Sequence, residues 1–230
     1  MRILAVESSA ISVSAAILED GRLLAEYFIN NKLTHSQTLA SLIQQALQTA
    51  DIPLNTIDLF AAAVGPGSFT GIRIGVAAVK GLAFGEDKPC VSVSTLEAMA
   101  LNLISHNGII CCTMDARCNQ VYNALFRANE GSITRLCEDR AVKIDALYQE
   151  LKGCNSEQIC LIGDGAHLCV APFESLNPRI APENLLYQRA YGVAKAAERI
   201  HAEGGAISAA ELNPVYLRPS QAERELSAKK

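Results

Sequence analysis

Apolar and polar positions follow two different periods along the first third of the chain. Residues 2–6 form a short apolar run that predicts a buried strand. Residues 11–18 alternate, and residues 23–30 follow after Glu19-Asp20-Gly21-Arg22, whose central Asp-Gly is hairpin chemistry. Together they predict a three-stranded meander. The period then lengthens. Leu39, Leu42, Ile43, Ala46, Leu47 and Ala50 recur every three or four residues, which makes one wide apolar helix face. Thr34-His35-Ser36-Gln37 before it has capping-box spacing, and Pro53 ends it. Residues 59–64 predict a second buried strand, 70–85 a helix without proline, and 90–93 another strand. Ser94-Thr95-Leu96-Glu97 is a second capping box, leading into a helical face at Leu96, Met99, Ala100, Leu103 and Ile104.

The second half is similar in kind. After the turn Asn107-Gly108, strands are predicted over 109–114 and 120–127, joined by the polar turn 115–119. A strand over about 133–142, a short helix over 144–151 and a strand over 158–162 follow, the last running into Gly163-Asp164-Gly165. A helix is predicted over 185–202, stopped by Gly204-Gly205. No sequence repeat is visible, but the order of elements predicts two related α/β lobes, 1–107 and 108–218, with 219–230 as a solvated, mobile tail.

The chain turns on Gly65-Pro66-Gly67-Ser68-Phe69-Thr70-Gly71-Ile72-Arg73-Ile74-Gly75, between the strand at 59–64 and the helix at 70–85. Gly-Pro-Gly forces a sharp turn, and Ser68 or Thr70 can cap the helix. Two readings stay open: an anion site at the helix N-terminus, or a turn that packs the helix on its sheet. A Rossmann fingerprint would need Gly where Thr70 stands; a P-loop would need Gly-Lys-Ser/Thr where Gly71-Ile72-Arg73 stands. Gly71, Gly75, Ala78, Gly81 and Gly85 are spaced three or four apart, so they form a side-chain-poor stripe. The stripe serves either close packing on the chain's own sheet or docking of a partner helix. Under docking, a large side chain at Gly75 is expected to block the partner and leave the monomer folded.

Composition narrows the field. Half of the 230 residues are hydrophobic, charged residues are 19%, there is no Trp, and net charge is −4. That supports a sizeable core and gives no basic face for holding nucleic acid alone. None of the eight cysteines forms a Cys-x-x-Cys pair, and no apolar run reaches membrane-spanning length, which predicts a cytoplasmic chain with reduced thiols and no membrane contact. His35, His106, His167 and His201 lack ligand spacing; His35 is expected to make a hydrogen bond at a helix end.

A meander followed by alternating helices and strands in two lobes resembles the actin-like ATPase superfamily (ASKHA, ribonuclease H-like), each lobe a mixed sheet with helices. His35-Ser36-Gln37, the 65–75 stretch, Val93-Ser94-Thr95-Leu96, Asp115-Ala116-Arg117 and Pro214-Val215-Tyr216-Leu217-Arg218 together resemble the TsaB (YeaZ) family over residues 1–218. The resemblance implies a non-catalytic subunit in threonylcarbamoyl transfer to N6 of adenosine 37 of tRNAs reading ANN codons. It implies pairing with the paralogous catalytic subunit TsaD and the ATPase TsaE. ATP would be used by the complex and no cofactor bound by this chain alone, with tRNA only as substrate of the complex. The implied partner surface is the first two helices, here Leu39, Leu42, Ile43, Gly71, Arg73, Ile74, Gly75, Ala78 and Leu82; the same helices would pair two copies when the partner is absent. Gly65, Pro66, Gly67, Ser68, Phe69 and Thr70 are a candidate nucleotide-proximal turn.

The catalytic paralogue's metal-binding His-x-x-x-His pair is matched here by Thr95 and Met99, poor ligands for a hard or borderline metal. Glu7 stands where superfamily kinases carry Asp, and Gly163-Asp164-Gly165 resembles a vestigial nucleotide loop or a plain strand-to-helix turn. The alternatives are a self-contained small-molecule kinase or ATPase of this fold, and a metal-dependent peptidase, for which no His-Glu-x-x-His exists.

Overall fold

The computed structural model describes residues 1–31, 34–154 and 157–218; the predicted tail, 219–230, lies outside them. The meander is β1 (Arg2–Glu7), β2 (Val13–Glu19) and β3 (Arg22–Ile29), with β1 and β2 buried along nearly their whole length. That is why β1 reads as an apolar run, and the alternation read over 11–18 does not mark an exposed face: a strand covered on both faces needs no polar positions. Next come α1 (His35–Ala50), β4 (Leu59–Gly65), α2 (Phe69–Gly85), β5 (Cys90–Ser94) and α3 (Thr95–Leu101). The first sheet runs β3-β2-β1-β4-β5, antiparallel through the meander and parallel from β1 to β5.

The chain then repeats this path. It forms β6 (Gly108–Asp115), β7 (Gln120–Asn129), β8 (Ser132–Arg135), β9 (Arg140–Lys143), α4 (Ile144–Leu151), β10 (Ile159–Ile162), α5 (Ala166–Val170), β11 (Arg179–Ile180), α6 (Glu183–Leu186) and α7 (Ala190–Ala202). The second sheet runs β8-β7-β6-β10-β11, with β9 also paired to β7. Read from β6, this is the order of the first sheet: antiparallel neighbours on one side, parallel ones on the other.

Strand periodicity divides the core of the first lobe. Leu4, Val6, Phe60, Ala62 and Val64 face α1 and α2, meeting Leu39, Leu42, Ile43, Ile72, Val76 and Val79. Ile3, Ala5, Leu59, Ala61 and Ala63 face the other way, onto Ala98 of α3 and Val193, Ala194 and Ala197 of α7. Helix α3 is shared, since Leu96 and Met99 pack into the second lobe's core.

Several expectations need correction. The lobes are not consecutive halves: α7 packs on the first sheet, and Ile207 bridges antiparallel to Cys90, so the chain from 190 onward returns to the first lobe. The uncovered face of β1 and β4 needs a helix, and the alanine-rich α7 supplies it. The single strand predicted over 133–142 is two, bent where Arg135 donates to the Cys137 carbonyl (3.3 Å) and Asp139 (2.6 Å). The helix predicted over 185–202 breaks at Tyr187–Arg189, because the buried Gln188 is used elsewhere: its carbonyl accepts from Ser12 Oγ (3.1 Å) and its amide donates to Asp164 (2.8 Å). Thr34 precedes α1 without a side-chain cap. Ser94 does cap α3, accepting from the Glu97 N–H at 3.2 Å, but the Glu97 carboxylate pairs with Arg135 and Arg199 instead of closing the box.

Candidate functional site: an interlobe cleft and a paired-helix surface

Because the two sheets share one topology, four turns meet between the lobes. They follow β1, β4, β6 and β10, and enclose a cleft of about 620 Å³ lined by Ser9, Pro66, Ser68, Asp115, Arg117 and Asp164, among others. The turn after β4 carries a cis Gly65–Pro66 bond, and Ser68 caps α2 by accepting from Gly71 N–H at 3.2 Å. Thr70 is exposed and does not cap. The Ser68 N–H donates to the Ser9 carbonyl at 2.6 Å, tying this turn to the one after β1. Gly163-Asp164-Gly165 is the strand-to-helix turn from β10 to α5, and Asp164 lines the cleft.

Glu7, at the end of β1, is wholly buried. Its Oε1 accepts from Ser9 N–H at 2.5 Å, and its Oε2 has no partner among the described residues. Burial pushes its carboxyl up to about 7; hydrogen bonds from Ser9 oppose this and the charge of Asp164 adds to it. Asp164 is raised too, again chiefly by burial, with the Gln188 hydrogen bond pulling the other way. A carboxyl that holds its proton near neutrality is a weak ligand for Mg²⁺, which binds ionised oxygen. Thr95 and Met99 are both fully buried, and the Met99 sulfur packs against Gly163. Among the described residues, no group of three or more His, Cys, Asp or Glu side chains is placed to hold a metal ion. The His35 ring shares a 2.6 Å hydrogen bond with the Ala10 carbonyl, joining the start of α1 to the β1–β2 turn.

The predicted partner surface divides in two. Leu39, Leu42 and Ile43 are buried in the chain's own core, so their apolar face covers the first sheet and is not presented outward. Gly71 and Gly75 are also internal. A Cβ on Gly71 would stand 2.1 Å from the Ser8 carbonyl oxygen, and one on Gly75 2.3 Å from Ser8 Oγ. Ser8 Oγ donates to the Gly71 carbonyl at 2.9 Å, so this half of the stripe seats α2 on the β1–β2 turn. Arg73 is exposed, and Ile74, Ala78 and Leu82 are half-buried against the core. The outward half of the helix is Arg73, Ala77, Gly81, Phe84 and Gly85; among the described residues nothing lies within 4 Å of a Cβ placed on Gly81 or Gly85, and Phe84 is 82% exposed.

Beside it runs the exposed face of α1, carrying Ser36, Gln37, Ser41, Gln44, Gln45 and Gln48. Not one charged residue occurs from 35 to 50. The apolar periodicity drew attention to the inward face; the signal for the outward one was this lack of charge. Two further features lay beyond sequence reasoning. The Phe69 and Tyr216 rings stack at 4.2 Å, with the Arg73 guanidinium 4.0 Å above Phe69. Glu7 and Gln188 approach Asp164 from distant parts of the chain.

The profile of the TsaD family, tRNA N6-adenosine threonylcarbamoyltransferase, matches residues 22–177. The chain is 31% identical to the Escherichia coli tRNA threonylcarbamoyladenosine biosynthesis protein TsaB over the full length of both. The structure of YeaZ from Pseudomonas aeruginosa superposes with a TM-score of 0.78 at 23% identity, covering 94% of this chain and 99% of that one. A ROK hexokinase from Thermus thermophilus superposes with a TM-score of 0.51 at 11% identity, covering 89% and 100%, a likeness of fold alone. No helix among the described residues is long and apolar enough to cross a membrane. The doubled sheet is that of the actin-like ATPase (ASKHA, ribonuclease H-like) fold. By the match along its whole length, the chain belongs to the TsaB (YeaZ) family.

Proposed function

We propose that this chain is a non-catalytic subunit required for threonylcarbamoyl transfer to N6 of adenosine 37 in tRNAs reading ANN codons. It activates the paralogous catalytic subunit TsaD, and the ATPase TsaE completes the assembly. The observation that carries this reading is the outward surface of α1 and α2: two adjacent helices, one wholly uncharged and the other opened by Ala77, Gly81 and Gly85. Depletion of charge marks the centre of protein interfaces, and small residues let a partner backbone come close. The same surface pairs two copies when TsaD is absent. The complex uses ATP and meets tRNA as its substrate in the cytoplasm; this chain alone holds no cofactor.

The test is reconstitution with TsaD, TsaE, ATP and tRNA, using Ala77→Arg and Gly81→Arg. Both positions are exposed, so the monomer's unfolding midpoint should not fall while co-purification with TsaD and modification of the tRNA are lost. Full modification with this chain left out, or unchanged pairing by both variants, overturns the reading.

A self-contained kinase or ATPase is the second reading, favoured by the cleft and by Asp164 at its edge. Against it stands Glu7, buried and held near neutrality where an ionised carboxylate is required. Calorimetry with Mg-ATP separates the two: micromolar binding by the isolated chain favours the kinase.

A further inference from the structure

The second lobe is inserted between α3 and α7. The chain crosses from one lobe to the other near 102–107 and again at 187–189. Helices α3 and α7 pack on each other, so the two crossings are neighbours, placed where one hinge would lie. A third connection spans the lobes without a covalent crossing. After Leu212, buried in the first lobe's core, residues 213–218 run across the ends of β4 and α2 toward the β6–β7 turn.

Each part of this strap is fastened. The Val215 N–H donates to the Val64 carbonyl at 2.8 Å, and a Cβ on Gly65 would stand 2.3 Å from the Val215 oxygen. The Tyr216 ring stacks on Phe69, and Arg73 Nε donates to its hydroxyl at 2.8 Å. Arg218 then reaches the other lobe: its Nη1 donates to the Ala116 carbonyl at 2.7 Å. The turn it grips is strained, with Arg117, Cys118 and Asn119 all at positive φ (65°, 54° and 56°). Three consecutive left-handed residues without glycine persist only where neighbours hold them. Inside the turn, Ala116 N–H bonds the Gln120 carbonyl at 3.1 Å and Gln120 N–H bonds the Arg117 carbonyl at 3.2 Å.

We propose that residues 213–218 are a latch across the cleft, anchored on α2 by Tyr216 and closed on the second lobe by Arg218. Releasing Arg218 frees the strained turn and lets the lobes part about the hinge at 102–107 and 187–189. The latch shares Arg73 with the outward surface of α2, so a protein covering that surface touches its anchor. The device stands on the strap's own bonds, whether or not the partner proposed above is the right one.

Amide hydrogen exchange on the full-length chain tests it, with no partner added. In Arg218→Ala, peptides covering Ala116 and Gln120 should exchange at least about tenfold faster while those covering 65–72 keep their protection. Tyr216→Ala should loosen both segments. Arg218→Lys, which keeps a donor at its tip, should restore most of the protection of the 115–120 turn. Unchanged exchange at 115–120 in Arg218→Ala overturns the latch. So does acceleration spread evenly over the chain, which would make the strap an ordinary part of the core.

Discussion

Glu7 shows what burial does to a single carboxyl. Held up to about 7 against an ordinary value of 4.5, it keeps its proton in the folded state where the unfolded chain has already released it. The folded state therefore binds more protons between those two values, and stability falls as pH rises through that window. A shift of this size corresponds to about 3 kcal/mol. Glu7→Gln keeps the shape and removes the ionisation, so the variant should be nearly flat where the parent weakens. Urea unfolding at pH 5 and pH 8 checks it; equal losses in parent and variant would show that burial at Glu7 is not the cause. Asp164, also raised by burial, contributes in the same direction in both proteins and so cancels from the comparison.

Helix α2 is an element with two jobs divided by position. Its first turns fit against the β1–β2 turn so closely that Gly71 and Gly75 leave no room for a methyl group, whereas a methyl on Gly81 meets nothing within 4 Å among the described residues. This reverses the expectation that a large residue at Gly75 would spare the monomer. Gly75→Ala must displace Ser8 Oγ, which is bonded to the helix itself, and should lose about 1–3 kcal/mol of stability. Gly81→Ala removes only backbone freedom and should gain up to about 1 kcal/mol. Chemical denaturation of the two variants side by side decides between packing and docking at each glycine. Equal effects would mean that the stripe has one role along its length.

At the scale of the whole molecule, one topology used twice explains where the cleft is. The turns after β1, β4, β6 and β10 all line it, so Ser9, Pro66, Asp115 and Asp164 converge without being near in sequence. The lobes are also tied by charge. Glu97 of α3 pairs with Arg135 of β8 at 3.2 Å and with Arg199 of α7, while Asp139 takes Arg135 at 2.6 Å and Ser94 Oγ at 2.5 Å. These side chains are mostly shielded, with Glu97 18% exposed, so the network outweighs an isolated surface pair. Glu97→Ala should lower stability by about 1–2 kcal/mol, because two guanidinium groups lose a partner. Raising ionic strength should shrink that loss; a difference independent of salt would assign it to packing.

Much of this was legible along the chain. The apolar runs at 2–6 and 59–64, the Asp-Gly hairpin and the helical face of Leu39, Leu42 and Ile43 report local burial, and burial writes itself as periodicity. Gly65-Pro66-Gly67 reported a turn, and Thr95 with Met99 reported poor ligand chemistry, because both are properties of residue type and order. What periodicity cannot carry is the identity of the surface that covers a given face. It could not say that α7 would return to the first sheet, that Gln188 would break a helix to reach Asp164, or that Tyr216 would stack on Phe69. Nor could the spacing of small residues tell packing from docking, since Gly75 and Gly81 look alike until Ser8 is placed beside one of them. Local order determined the elements and the turn chemistry; only the folded arrangement decided which glycines, carboxyls and aromatics meet, because those contacts join residues that the chain separates by tens to hundreds of positions.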